Sequence, residues 1–130
     1  MYRWVDHTAE VELAIEAPSQ AAVFAEATAA LAELLGFAGQ ASTETRHIVA
    51  CAGDRATLLA AWLEELIFLA ESEGFVGLEV RGLDFSHERV EATVMGAVGE
   101  PPPLVKAVTY HRLSFETSPS GYVANVVLDV

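Results

Sequence analysis

The chain has 130 residues, with 19 acidic side chains against 7 basic ones and a formal net charge of −12. That length suits one domain with a real hydrophobic core, and a hydrophobic content of 52% argues against disorder. Such acidity disfavours direct binding to nucleic-acid phosphates, which depends on Lys and Arg, and favours basic proteins or divalent cations as partners. No apolar run reaches the length of a membrane span, and Met1 to Asp6 show neither the apolar stretch nor the cleavage site of a secretory leader. The expected location is the cytoplasm, with no membrane partner. With Cys51 as the only cysteine, neither a disulfide nor a thiolate metal cage is available within the chain, and Cys51 is expected to be a buried structural thiol.

In chain order, Arg3 to Asp6 reads as a short strand. Residues 10–17 alternate, with Val11, Leu13, Ile15 and Ala17 on one face and Glu10, Glu12, Ala14 and Glu16 on the other, the period of a strand with one wet face. Ser19 is placed to cap a helix over about 20–35, which Gly36 ends. A loop over 37–43 and a strand from Thr45 to Cys51 follow. Asp54 is positioned to cap a second helix over about 55–73, closed by Gly74, with Trp62 as a core anchor. Val76–Phe85 and Arg89–Val98 read as strands joined at Ser86-His87-Glu88, with His87 exposed in the turn. Gly99 to Pro103 forms a proline-rich surface loop, since proline has no amide hydrogen for a sheet ladder. Strands over 106–117 and 122–129, joined at Ser118 to Gly121, complete an α+β chain: two helices packed on one face of a mostly antiparallel mixed β-sheet, in one domain spanning 1–130.

Three clusters carry candidate chemistry. Asp6-His7 offers a carboxylate and a base, but neighbours in a strand point to opposite faces, so a working dyad requires a turn at His7-Thr8. A turn held by side-chain hydrogen bonds is the simpler account. Glu10 and Asp129 offer oxygen donors suited to calcium, magnesium or manganese rather than zinc, provided the fold gathers the two ends. Lys106 to His111 contains the only lysine, a candidate partner for a phosphate or a carboxylate. In a regular strand Thr109 and His111 share a face opposite Val108 and Tyr110, with His111 half-buried and hydrogen-bonded.

Taken together, Asp6-His7-Thr8-Ala9-Glu10-Val11, the helical segment Leu58 to Leu66, Lys106-Ala107-Val108-Thr109-Tyr110-His111 and the closing Val127-Leu128-Asp129-Val130 resemble the archease family along essentially the whole chain. The resemblance implies an accessory protein that activates an RtcB-type RNA ligase in tRNA splicing or RNA repair. It would promote guanylylation and multiple turnover of the ligase, meeting guanine nucleotide only through that partner, with no direct nucleic-acid binding. It further implies a divalent cation, usually calcium, held by Glu10, Asp129 and the backbone or terminal oxygens of Val130. Asp6, His7, Lys106 and His111 stand as neighbouring residues with a role in activation. Two departures bear on the metal. Glu10 stands where the family has Asp, which moves the carboxylate by one carbon–carbon bond, and Glu12 stands where glycine is common. Calcium tolerates such a change better than magnesium, whose geometry is stricter. The competing readings are a small metal-dependent phosphoesterase using Asp6, His7, Glu10 and Asp129, and a metal-independent chaperone-like interaction module.

Overall fold

The computed structural model describes residues 1–7, 10–36, 42–99 and 105–130. Along the chain these form β1 (Tyr2–His7), β2 (Glu10–Ala17), α1 (Gln20–Leu34), β3 (Ser42–Cys51), α2 (Arg55–Glu73), β4 (Phe75–Ser86), β5 (Arg89–Val98), β6 (Ala107–Ser118) and β7 (Gly121–Asp129). The α+β class holds, and the strand ladders among the described residues are antiparallel. The strands divide between two sheets rather than one. The larger sheet has the order β1-β2-β7-β6 and the smaller the order β3-β5-β4.

Helix termini follow the local chemistry. The Ser19 hydroxyl accepts from the Ala22 amide at 3.1 Å, and the Asp54 carboxylate accepts from the Thr57 amide at 2.8 Å. Each satisfies an amide that the first helical turn leaves unpaired. The same hydrogen bond holds the Asp54 carboxyl below its ordinary pKa, because it favours the charged form. Gly74 closes α2 with φ of +69°, and an added Cβ there would lie 1.8 Å from the Gly99 carbonyl oxygen. Glycine is required at this position both for the left-handed backbone and for the close approach.

One core joins both sheets through the helices. Phe24 of α1 packs edge-on against Trp62 of α2 and Phe85 of β4, with ring centroids 6.0 and 5.1 Å apart, and it also meets Phe115 of β6 at 6.2 Å. Trp62 is fully buried, as its helical position predicts. Its indole N–H donates to Thr28 Oγ1 at 3.0 Å, and the Thr28 hydroxyl donates to the Phe24 carbonyl at 2.8 Å. Thr28 is thus a buried polar side chain whose hydrogen-bonding capacity is used, as burial demands.

Two further expectations fail. Cys51 is exposed, not buried. It is the last residue of β3, opposite Arg89 at the hairpin end of the small sheet. The apolar run Ile48-Val49-Ala50 suggested burial that stops one residue earlier. The second failure concerns β6, whose regular alternation breaks after Thr109. Thr109 pairs with Val127, but the next matched pair is Ser114 with Asn125, so residues 110–113 stand opposite the single Val126. His87, by contrast, lies exposed in the β4–β5 turn as its flanking sequence indicates.

Candidate metal centre

The register of the larger sheet brings the two acidic ends of the chain together. Strand β2 runs antiparallel to β7 with Glu10 opposite Asp129, and β6 places Ala107 on the other side of Asp129. On the outer side of β2, His7 of β1 pairs with Glu10. One row across the sheet is therefore His7, Glu10, Asp129 and Ala107. Asp6 pairs with Val11, one residue off that row. The side chains of Asp6 and His7, and all of Thr8 and Ala9, lie outside the described residues, as do residues 37–41 of the expected 37–43 loop and residues 100–103 of the expected proline-rich loop, with residue 104.

Directly opposed residues of an antiparallel pair share a face, with Cβ atoms about 4.5–5.5 Å apart, and like charges so placed repel. Glu10 and Asp129 are both partly exposed, and among the described residues neither side chain has a hydrogen-bond or ion-pair partner. Two carboxylates at that spacing match the oxygen separation around one ion with ligand distances of about 2.3–2.6 Å. Val130 follows Asp129 directly and adds hard oxygen donors at the same edge. The donor set fits calcium, magnesium or manganese. Among the described residues no three His, Cys, Asp or Glu side chains form a cage by themselves. The fit therefore leans on the oxygens of Val130 and on ligands from solvent or a partner.

The β6 end is tied to this row through the backbone, since the Lys106 amide donates to the Asp129 carbonyl at 2.9 Å. The Lys106 side chain is exposed and has no ion-pair partner among the described residues. Thr109 Oγ1, one row further along the same face, is buried without a hydrogen-bond partner among them. A buried hydroxyl of that kind is a ready ligand for a water or ion at the edge of the site.

His111 does not take up its expected place. It falls inside the 110–113 bulge, exposed and no longer in step with Thr109, while Tyr110 turns out to solvent at 59% exposure, away from buried Val108. The residue that the bulge delivers is Arg112, which sequence reasoning did not single out. Arg112 has φ of +57°, a conformation that L-residues other than Asn and Asp rarely adopt, and its carbonyl accepts from Asn125 Nδ2 at 3.1 Å. Its Nη1 lies 3.4 Å from Glu12 Oε1. Glu12, the additional acid of β2, is thereby partly neutralised by a cation that the strand alternation gives no hint of. An arginine next to His111 in a strongly acidic chain was the only available signal.

The Archease protein family (MTH1598/TM1083) model matches residues 2–130. The chain belongs to the archease family. Archease relatives include those of Methanopyrus kandleri, 32% identical with 97% of this chain and 96% of the relative covered, and Methanosarcina barkeri, 30% identical with 99% and 95% covered. The archease fold is shared with two solved structures. A Methanobacterium thermoautotrophicum protein matches with a TM-score of 0.73 at 24% identity, covering 99% of this chain and 98% of that one. A Thermotoga maritima archease described as a possible chaperone matches with a TM-score of 0.73 at 22% identity, covering 100% and 98%.

Proposed function

We propose that this archease activates an RtcB-type RNA ligase in tRNA splicing or RNA repair, promoting guanylylation of the ligase and its repeated turnover, and is not itself an enzyme. The observation that carries the site is the β2–β7 register, which sets Glu10 against Asp129 although 118 residues of chain separate them. Two opposed carboxylates without a counter-ion among the described residues are a liability for a free-standing fold and an asset for a protein that holds a cation.

In this reading Glu10, Asp129 and the oxygens of Val130 hold a divalent cation, with calcium favoured over magnesium or manganese because the longer Glu10 side chain suits a flexible coordination shell. The bound cation would supply positive charge for the phosphates of a guanine nucleotide seated in the ligase. The chain's own residues do the positioning. The β2–β7 pairing fixes the spacing of the carboxylates, and the backbone bond from Lys106 to Asp129 anchors the segment from which the exposed Lys106 side chain extends. Lys106 is then free to meet a nucleotide phosphate from the partner. Arg112 restrains Glu12, which keeps that acid from competing as a ligand. Asp6, His7 and His111 stay in the proposal as residues adjoining the site. The protein acts in the cytoplasm through its partner and does not bind RNA on its own, because its net charge of −12 repels phosphates.

The test is guanylylation of the cognate ligase at limiting GTP, with and without the chain. Stimulation by the unaltered chain and its loss in Asp129→Ala is the expected result. No stimulation, or phosphoester turnover by the isolated chain that disappears in Asp129→Ala, would overturn the reading. A second reading is favoured by the description of the Thermotoga maritima archease, that of a chaperone-like module without a metal. Suppression of client aggregation that is indifferent to calcium and unaltered in Glu10→Ala is its signature.

A further inference from the structure

The outward side of α2 departs from what a solvated helix face needs. Its glutamates are exposed, yet among them Phe68 stands 61% exposed, a large aromatic ring where the amphipathic pattern calls for a polar residue. Glu64, Phe68 and Glu71 fall at spacings of three and four and so form one exposed stripe, with the buried Ile67 at its inner border. With Lys106 and Ala107 on the facing wall, this stripe lines a cleft of about 280 Å³. Ala107 is the residue paired with Asp129, and the Lys106 amide bonds to the Asp129 carbonyl. The cleft therefore lies at the same end of the larger sheet as the candidate metal centre, with the Glu10 and Asp129 side chains alternating to the sheet face away from α2.

We propose that this cleft is the docking surface for the ligase, and that its occupant is a basic segment of the ligase carrying an apolar side chain that packs against Phe68 while Lys or Arg residues meet Glu64 and Glu71. The inference rests on the activator reading and names the surface through which it works. Charge complementarity selects the occupant: the cleft is framed by two exposed glutamates on a chain of net charge −12, and a partner that binds nucleotide and RNA phosphates presents the opposite sign. Aromatic side chains at the centre of a contact carry a disproportionate share of binding, with surrounding charges setting the encounter rate. The metal centre supplies the chemistry, and Phe68 anchors the complex that brings it into place.

The experiment measures the affinity of the cognate ligase for the unaltered chain, for Phe68→Asp, for Phe68→Ala, and for Glu64→Lys combined with Glu71→Lys. Calcium calorimetry and thermal melts are run on each protein. The expected result is a Kd raised about tenfold or more in both Phe68 variants. The charge variant should lose much of the salt dependence of association. Calcium affinity and melting temperature should stay unchanged in the Phe68 variants, since the ring is largely exposed. Binding by the unaltered chain that persists within about twofold in Phe68→Asp and Phe68→Ala overturns the surface and leaves the activator reading standing. Absence of any ligase binding by the unaltered chain overturns the activator reading, and the surface with it. A concentration-dependent dimer that Phe68→Asp abolishes would make a second copy of this chain the occupant, and would overturn the ligase assignment.

Discussion

The two ends of the larger sheet treat acidic side chains in opposite ways. Near the start of β1, two acids of the adjoining helix α1 each meet a donor or a cation. The N-terminal ammonium lies 3.3 Å from Glu26 and donates to the Glu16 carbonyl at 2.9 Å, and the Tyr2 hydroxyl donates to Glu33. At the other end, Glu10 and Asp129 face one another across a ladder with no such partner among the described residues. The first arrangement is scaffold, complete as it stands. The second is an arrangement that, in the proposed function, an external cation completes. On that proposal the pairing of acid with acid, and not acidity as such, marks the site.

The largest expected effect breaks that contrast directly. Asp129→Ala or Glu10→Ala should lower calcium affinity by more than about a hundredfold in calorimetry, beyond the 10–100-fold typical of residues that merely orient a ligand. Glu26→Gln, at the scaffold end, should leave that affinity within about twofold. Equal losses at both ends would mean that bulk charge, not the opposed pair, attracts the ion. Next in size, calcium at about a hundred times its Kd should stabilise the unaltered chain by about 2.7 kcal/mol, seen as a raised melting temperature that Asp129→Ala does not share.

A smaller effect has the opposite sign. With metal chelated, Asp129→Asn should stabilise the fold by about 0.2–1 kcal/mol, because it removes a like-charge pair. Destabilisation in denaturant melts would show that Asp129 has an attractive partner instead. The smallest effect lies at the scaffold end. The hydrogen bond to Glu33, aided by partial burial and by the charges of Glu33 and Glu26, pushes the Tyr2 phenol up to about 12. Its folded pKa is above the unfolded value of about 10, so its contribution to stability is fully present below pH 10 and is lost as pH rises from about 10 to 12. Glu33→Gln should bring the phenol back towards 10 in an ultraviolet titration and flatten that alkaline loss.

Much of the framework was legible because it depends on neighbours in sequence. The alternation of β2, the caps at Ser19 and Asp54, the stop at Gly74 and the burial of Trp62 all follow from local chemistry. The pairing of Glu10 with Asp129 was legible only through the family resemblance, since spacing alone says nothing about whether distant ends meet. The division into two sheets was not legible, because strand periodicity reports which face is wet and not which strand lies alongside. The β6 bulge escaped for a sharper reason. A period of two presupposes matched strands, and four residues opposite Val126 destroy it with no glycine or proline to announce the break. Arg112 takes the left-handed backbone that such residues usually mark, and the cation facing Glu12 went unseen with it. Cys51 was misplaced because an apolar run predicts burial only as far as its covering element reaches.

The same bulge bears on how the molecule keeps apart from its own copies. Strand β6 is an edge of the larger sheet, and an edge strand with an unbroken row of free amides and carbonyls invites a neighbour's strand to extend the ladder. The interruption over 110–113 denies such a neighbour a continuous register, and the two irregularities in β4 do likewise for an edge of the smaller sheet. An alanine-rich chain can thus leave these sheet edges open without their becoming seams for aggregation.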